Sequence, residues 1–404
     1  MQENPRSDDV DDGGRVEHLE QFPDASAGSA SFRRRTLIAG AAAVAAGGAS
    51  AAFLLPASSG RTRTSTAAVQ MPSSTLPGTR PGSTPGSTSP ATPVVLPDAA
   101  ETVEVTEGTD LDPTTPFLTP NDSFFLIDTA WAVPEVDRDF WTLDVDGLVD
   151  RPLTLTYADL LGRRLVERII TIGCVSNEVG GPYIGTARWL GVPLREILDE
   201  AGVQDGAAQV FSTSIDGWTC GFPVADAVDG RDALIAIGMN GEPLPPDHGF
   251  PARLVVPGLY GYVSATKWLR RITLTTWDDE GYWIPRGWSR EAPVKTQSRI
   301  GVPADGSSLP AGPTVIAGVA WAMPRGIDAV EVRIDDGPWQ RADLGAEPTA
   351  DAWRQWRVEW SATPGEHRIT VRATDGFGDV QTSDRSPVDP DGATGHHSVR
   401  VSVG

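Results

Sequence analysis

The sequence predicts an α+β body with a second, all-β unit behind it. Three observations predict this. Between about residues 140 and 275, apolar or alternating runs interleave with short helical patterns and turn signals. Beyond Thr314 the helical patterns stop, and alternating runs follow one another through polar turns. The 404-residue chain holds 43 Gly and 34 Pro, which favours loops and strands over a helix bundle. Its length suits two folded units plus tails.

The elements follow in chain order. Residues 1–35 form a polar, acidic N-terminal region that ends in Arg33-Arg34-Arg35. Residues 36–57 then make an Ala- and Gly-rich segment, uncharged from Ile38 to Ala57. Twin arginines before a mildly apolar segment are an export signal of the twin-arginine kind. The segment also approaches the roughly 20 residues that span a bilayer, and the arginines would hold its first end in the cytoplasm. Cleavage near Ala49-Ser50-Ala51 and retention as an anchor both leave the rest extracytoplasmic. Residues 58–100, with Pro77-Gly78-Thr79-Arg80-Pro81-Gly82-Ser83, are a linker too poor in apolar groups to pack.

The body is expected over 101–305. The apolar run Leu165 to Ile172 reads as a strand that delivers Cys174 into a polar, Gly-rich turn. Trp141–Gly147, Gln209–Ser214 and Arg253–Val256 also read as strands. Tyr157–Leu161 is a short helix with Thr156 as N-cap. Val192–Ala201 is a better helix, with Pro193 in its first turn and Gly202 as C-cap. The tail, 306–404, has alternating runs at Val330–Ile334, His367–Ala373 and Val399–Val403. Asp335-Asp336-Gly337 turns the chain after the first of them. A β-sandwich of immunoglobulin-like architecture follows, without the two Cys of antibody domains.

Net charge is −21, which disfavours nucleic acid and broad adsorption to anionic lipid. No Gly-x-Gly-x-x-Gly, Walker loop or Gly-x-Ser-x-Gly is present, so a nucleotide site or an α/β-hydrolase is poorly supported. The 5 His are scattered, and His396-His397 would point to opposite faces of a strand, against a shared metal site. What remains is Cys174, one of 2 Cys, with His248-Gly249-Phe250-Pro251-Ala252-Arg253 and the loop Pro257 to Trp268. Taken alone, Cys174 reads equally as a buried structural thiol. A thiol, an Arg and a Gly-Ser-Thr-Lys loop together suit a large anionic cofactor with a soft metal end.

On these segments, and from about Phe117 onward, the chain resembles the sulfite oxidase family of molybdopterin enzymes. It is also similar to the bacterial periplasmic methionine sulfoxide reductase catalytic subunit. The resemblance implies a mixed molybdopterin-binding domain followed by an immunoglobulin-like dimerisation domain, and so a homodimer. It implies molybdenum-molybdopterin as cofactor and Cys174 as the metal-ligating, catalytic thiolate. It implies that His248 and Arg253 hold the pterin and its phosphate, that Ala265, Thr266 and Lys267 form the phosphate loop, and that Thr213 adds a pterin contact. Asn121, Phe124 and Phe125 match the early loop that embraces the pterin. Oxygen-atom transfer on a small sulfur or nitrogen compound is the implied activity, of the sulfite-oxidation or sulfoxide-reduction type.

Two departures bear on the substrate. Sulfite-oxidising members follow the ligand Cys with Ala-Gly-Asn-Arg-Arg; here Val175-Ser176-Asn177-Glu178-Val179 stands in that place. Trp288 stands where those members carry an active-site Tyr. Arg188 or Arg286 is the candidate replacement cation. No haem-binding segment is evident, so electrons are expected to pass to a separate haem protein or quinone-linked carrier. Two other readings compete. A non-catalytic exported adhesion protein fits the stalk and tail but leaves Cys174, Arg253 and Lys267 unexplained. A Cys hydrolase would need His248 as base, with nothing to orient it. Cys220 is read as structural.

Overall fold

The computed structural model describes Thr36–Leu37 and residues 94–404. The polar region 1–35, residues 38–57 of the segment read as an export signal, and the linker to residue 93 lie outside the described residues. No helix among the described residues is long and apolar enough to cross a membrane.

Strand Val166–Gly173 sets the frame of the first half. Its apolar run does not alternate, because both faces are covered. Ile169 joins one hydrophobic core, while Val166, Ile170 and Ile172 join another on the opposite face. The strand pairs antiparallel with Ile184–Pro193, which pairs in turn with Leu234–Met239. Glu242–Pro243 and Glu101–Thr102 close the edges, and Arg253–Val255 pairs beside Leu234–Met239. A second sheet runs in the order Leu153–Thr156, Thr142–Gly147, Leu269–Thr275, Gln209–Ser214, Thr219–Pro223. Thr36–Leu37 pairs in parallel with Ile127–Asp128.

The short helices obey their caps. In helix Tyr157–Leu161, Thr156 accepts from the Asp159 amide and the Asp159 side chain bonds back to Thr156. The next helix begins later than the sequence pattern predicts. It spans Leu194–Ala201, and Pro193 is its N-cap rather than a first-turn residue. Sheet pairing explains the difference: Val192 and Pro193 are held opposite Ile235 and Leu234 as the end of a strand. Gly202 closes the helix in the left-handed region, as expected.

The C-terminal part is two sheets around one core. Gln297–Val302, Gly312–Trp321, Arg354–Ala362 and Asp343–Leu344 make the first, in that order. Ser308–Leu309, His397–Val403, Gly365–Asp375, Ile327–Ile334 and Gln340–Arg341 make the second. Ile316, Trp356, Ile369, Val371 and Val401 fill the space between them. Pairing into this unit starts with Gln297, ahead of residue 306. Val319, Trp321, Met323 and Trp353 pack into the core of the first half. Losing such a buried Trp costs about 3–5 kcal/mol, so this apolar seam welds the halves together.

Candidate cofactor and active site

One pocket gathers the chemistry. Its empty volume is about 960 Å³, counted to its open mouth. Four chain segments build its floor. Strand Val166–Gly173 ends at Cys174, whose amide donates to the Tyr183 carbonyl (2.9 Å) and whose carbonyl accepts from the Asn177 amide (3.0 Å). The Ser176 amide lies 3.4 Å from the Cys174 sulfur. Burial pushes the Cys174 thiol pKa up, and the Ser176 contacts oppose this in part.

The 3₁₀ turn Pro246–His248 and strand Arg253–Val255 supply the second side. His248 Nε2 bonds the Asn121 carbonyl at 2.7 Å, so that nitrogen carries the proton. Burial and the neighbouring Arg253 lower the His248 pKa. Gly249 takes φ 111°, and a Cβ there would sit 3.0 Å from the Lys267 backbone; this turn needs glycine. Arg253 is 5% exposed, bonds the His248 carbonyl at 3.0 Å, and lies over the Trp189 ring. Burial alone pulls its pKa down to about 10, so it stays a cation. No carboxylate among the described residues forms an ion pair with it.

The third segment is the turn after helix Gly261–Ser264. Ala265 caps this helix, and Lys267 Nζ reaches Asp128 at 2.6 Å and the Asp247 carbonyl at 3.0 Å. Burial pushes Lys267 down to about 8 against the pull of Asp128. Trp268 follows at φ 51°, a conformation a bulky residue adopts only where its surroundings enforce it. Its indole N–H donates to the Pro246 carbonyl at 2.7 Å. The fourth segment is the end of strand Gln209–Ser214. Ser214 lines the pocket, and its Oγ is buried without a hydrogen-bond partner among the described residues. A water or a polar ligand would satisfy it.

Of the residues picked out by sequence, Phe124, Phe125, Cys174, His248, Arg253, Ala265 and Lys267 line the pocket. Asn121, Thr213 and Thr266 stand behind it. Asn121 holds the early loop through the Met239 carbonyl, Glu242 and Asn240. The Thr266 hydroxyl turns into the core to Ser212 (2.6 Å) and Cys220 (3.2 Å). Cys220 is 1% exposed and belongs to that core. Strand alternation puts Ser212 and Ser214 on the buried side with Val210, and Thr213 on the other. That pattern was the available signal for Ser214.

Neither replacement cation reaches the pocket. Arg188 is tied to Glu167 (2.7 Å) and Glu104, and Arg286 folds onto the Tyr282 ring. The mouth instead carries Asp216, Trp218, Trp283 and Trp288, with Trp288 against Tyr262 (5.6 Å between ring centroids).

Comparison with known proteins agrees with this geometry. Residues 130–283 match the oxidoreductase molybdopterin binding domain. Sulfite oxidase of Gallus gallus is 32% identical over 321 residues, covering 67% of this chain and 70% of that protein. Mitochondrial sulfite oxidase of Rattus norvegicus is 31% identical over 322 residues. That match covers 67% of this chain and 58% of the relative's length. The solved sulfane dehydrogenase SoxCD of Paracoccus pantotrophus superposes with a TM-score of 0.59 at 26% identity, covering 69% of this chain and 81% of that one. Because the identity to the Gallus gallus enzyme extends over two thirds of this chain and of that enzyme, and the matched domain holds the pocket's thiol and its buried cations, the chain belongs to the sulfite oxidase family of molybdopterin-dependent oxidoreductases.

Proposed function

We propose that the protein is an extracytoplasmic molybdenum-cofactor enzyme that moves an oxygen atom to or from a small, uncharged sulfur or nitrogen compound. The convergence of Cys174, Arg253 and Lys267 on one cavity carries this reading. The residues fit the group: a buried cation without an anion suits a phosphate, and a thiol suits a soft metal. When bound, the cofactor supplies two-electron oxygen-atom chemistry.

The chain's own residues do the rest. Cys174 keeps its proton at neutral pH, because burial raises its pKa, and gives it up on metal binding. Arg253 offers a planar fork to the phosphate, with Lys267 beside it and Ser214 Oγ as a further donor. His248 stays neutral and ties the early loop to the floor through Asn121. Phe124 and Phe125, stacked at 5.1 Å, exclude water from this end.

The mouth argues for an uncharged oxide over sulfite. Its aromatic wall is joined by Asp216, while the pocket's positive groups lie on the floor. A sulfoxide or an amine oxide meets no repulsion there; a dianion does. The twin-arginine segment supports export. The two-sheet tail supports an immunoglobulin-like, dimer-forming unit, and electrons go to a separate haem or quinone-linked carrier. A non-catalytic adhesion role leaves the unpaired Arg253 without a purpose.

The test is molybdenum analysis of full-length protein from a cofactor-competent host, with turnover of sulfite, a dialkyl sulfoxide and an amine oxide. Stoichiometric metal with faster turnover of an uncharged oxide is expected. Absence of metal overturns the reading, and a preference for sulfite overturns the substrate class.

A further inference from the structure

We propose that Arg299 and His397, both in the C-terminal sandwich, are positioning residues for the Cys174 loop. The proposal rests on the cofactor reading of Cys174. The loop from Cys174 to Tyr183 is held from within by two backbone turns and by Asn177 Oδ1, which accepts from the Tyr183 amide at 2.8 Å. Val175 anchors its near side in the core of the first half, and its glycines are met from the other half of the molecule. Arg299 Nη1 donates to the Gly181 carbonyl at 2.9 Å. Gly180 sits at φ 83° with its Cα against the His397 imidazole, and a Cβ there would collide with Cδ2 and Nε2 of that ring.

Both clamping groups are themselves fixed. His397 Nδ1 accepts from the Ile300 amide at 3.0 Å, which puts the proton on Nε2. Arg299 lies over the Trp353 ring (6.0 Å), and Asp112 offsets its buried charge. Trp353 and Asp351 also grip the strand that leads to Cys174. The Trp353 amide donates to Thr171 Oγ1 at 2.7 Å, and the Asp351 carbonyl accepts from the Thr171 amide at 2.9 Å. The sandwich therefore touches the thiol-bearing segment at four points, one strand residue and two loop glycines, with none of its own side chains in the pocket. That is how an outer partner orients a metal ligand without touching the metal.

The experiment compares full-length wild type with Arg299→Met, Arg299→Lys, Gly180→Ala and the Gly180→Ala/His397→Ala double variant. The readouts are the thiolate-to-metal absorption band and the rate of molybdenum loss to a chelator. Arg299→Met and Gly180→Ala should each shift the band and speed metal loss roughly 10- to 100-fold, the usual cost of an outer partner. Arg299→Lys should restore part of the Arg299→Met loss, and removing the ring should relieve only the collision part of the Gly180→Ala effect, the left-handed φ at position 180 keeping the rest. Unchanged bands and rates in Arg299→Met and Gly180→Ala overturn the clamp while leaving the cofactor reading intact. If Arg299→Met does not fold, Gly180→Ala and its double variant decide alone. A wild type without molybdenum overturns the cofactor reading instead.

Discussion

The floor and the mouth of the pocket solve opposite electrostatic problems. On the floor, Arg253 and Lys267 are pulled out of water, and among the described residues Lys267 alone of the two has an ionic partner, Asp128. At the mouth, exposed Asp216 stands among Trp218, Trp283 and Trp288. Burying a charge is costly unless something repays it. The floor accepts that cost where a permanent anionic ligand belongs; among the lining residues the mouth has no cation, which suits the uncharged substrate proposed above. Buried charge thus marks the resident group, and the polarity of the rim marks the substrate.

Substitutions can break this contrast at either end. Cys174→Ser has the largest expected effect. Turnover should fall by more than about 100-fold, since even outer partners of a metal ligand cost about that much. Steady-state rates per molybdenum check it. Arg253→Met comes next and should weaken cofactor retention by at least about 2 kcal/mol, the lower range for removing one side of a buried charged contact. Metal loss on dialysis measures it.

A third prediction concerns a buried charge that faces no ligand. Asp351 is 8% exposed, and burial beside Asp232 raises its pKa to about 6. The folded state then holds a proton that the unfolded state releases between the ordinary carboxylate value and pH 6. Stability from this group falls as pH rises through that window and stays lost above it. Asp351→Asn should raise stability at pH 7 by on the order of 2 kcal/mol, with the gain vanishing below pH 4. Urea denaturation at the two pH values checks it. The smallest effect belongs to the mouth. Asp216→Asn should improve kcat/KM for sulfite about 2- to 5-fold at low salt and leave a neutral sulfoxide unchanged, because exposed charge is screened.

How much was legible in the sequence follows the same division. Cys174, His248, Arg253 and Lys267 sit in local motifs where a strand end or a Gly turn sets the backbone, and each reaches the pocket. Thr213 and Thr266 are not among the residues that line the pocket. Each belongs to a site segment, but its side chain leaves the pocket side, and only strand parity or core packing reveals that. Pro193 was misplaced because sheet pairing extended a strand into the expected helix turn. Arg188 and Arg286 were eligible by charge alone, and their ion-pair and ring partners lie too far along the chain to be read. The grip of Arg299 and His397 on Gly181 and Gly180 is likewise a long-range contact across the seam, with no local pattern to betray it.

X-ray absorption at the molybdenum edge tests the central claim most directly. Wild type should show the sulfur neighbours of the dithiolene plus one from Cys174, and Cys174→Ser should show one sulfur fewer at the same metal content. An identical sulfur count in the two proteins would contradict the account.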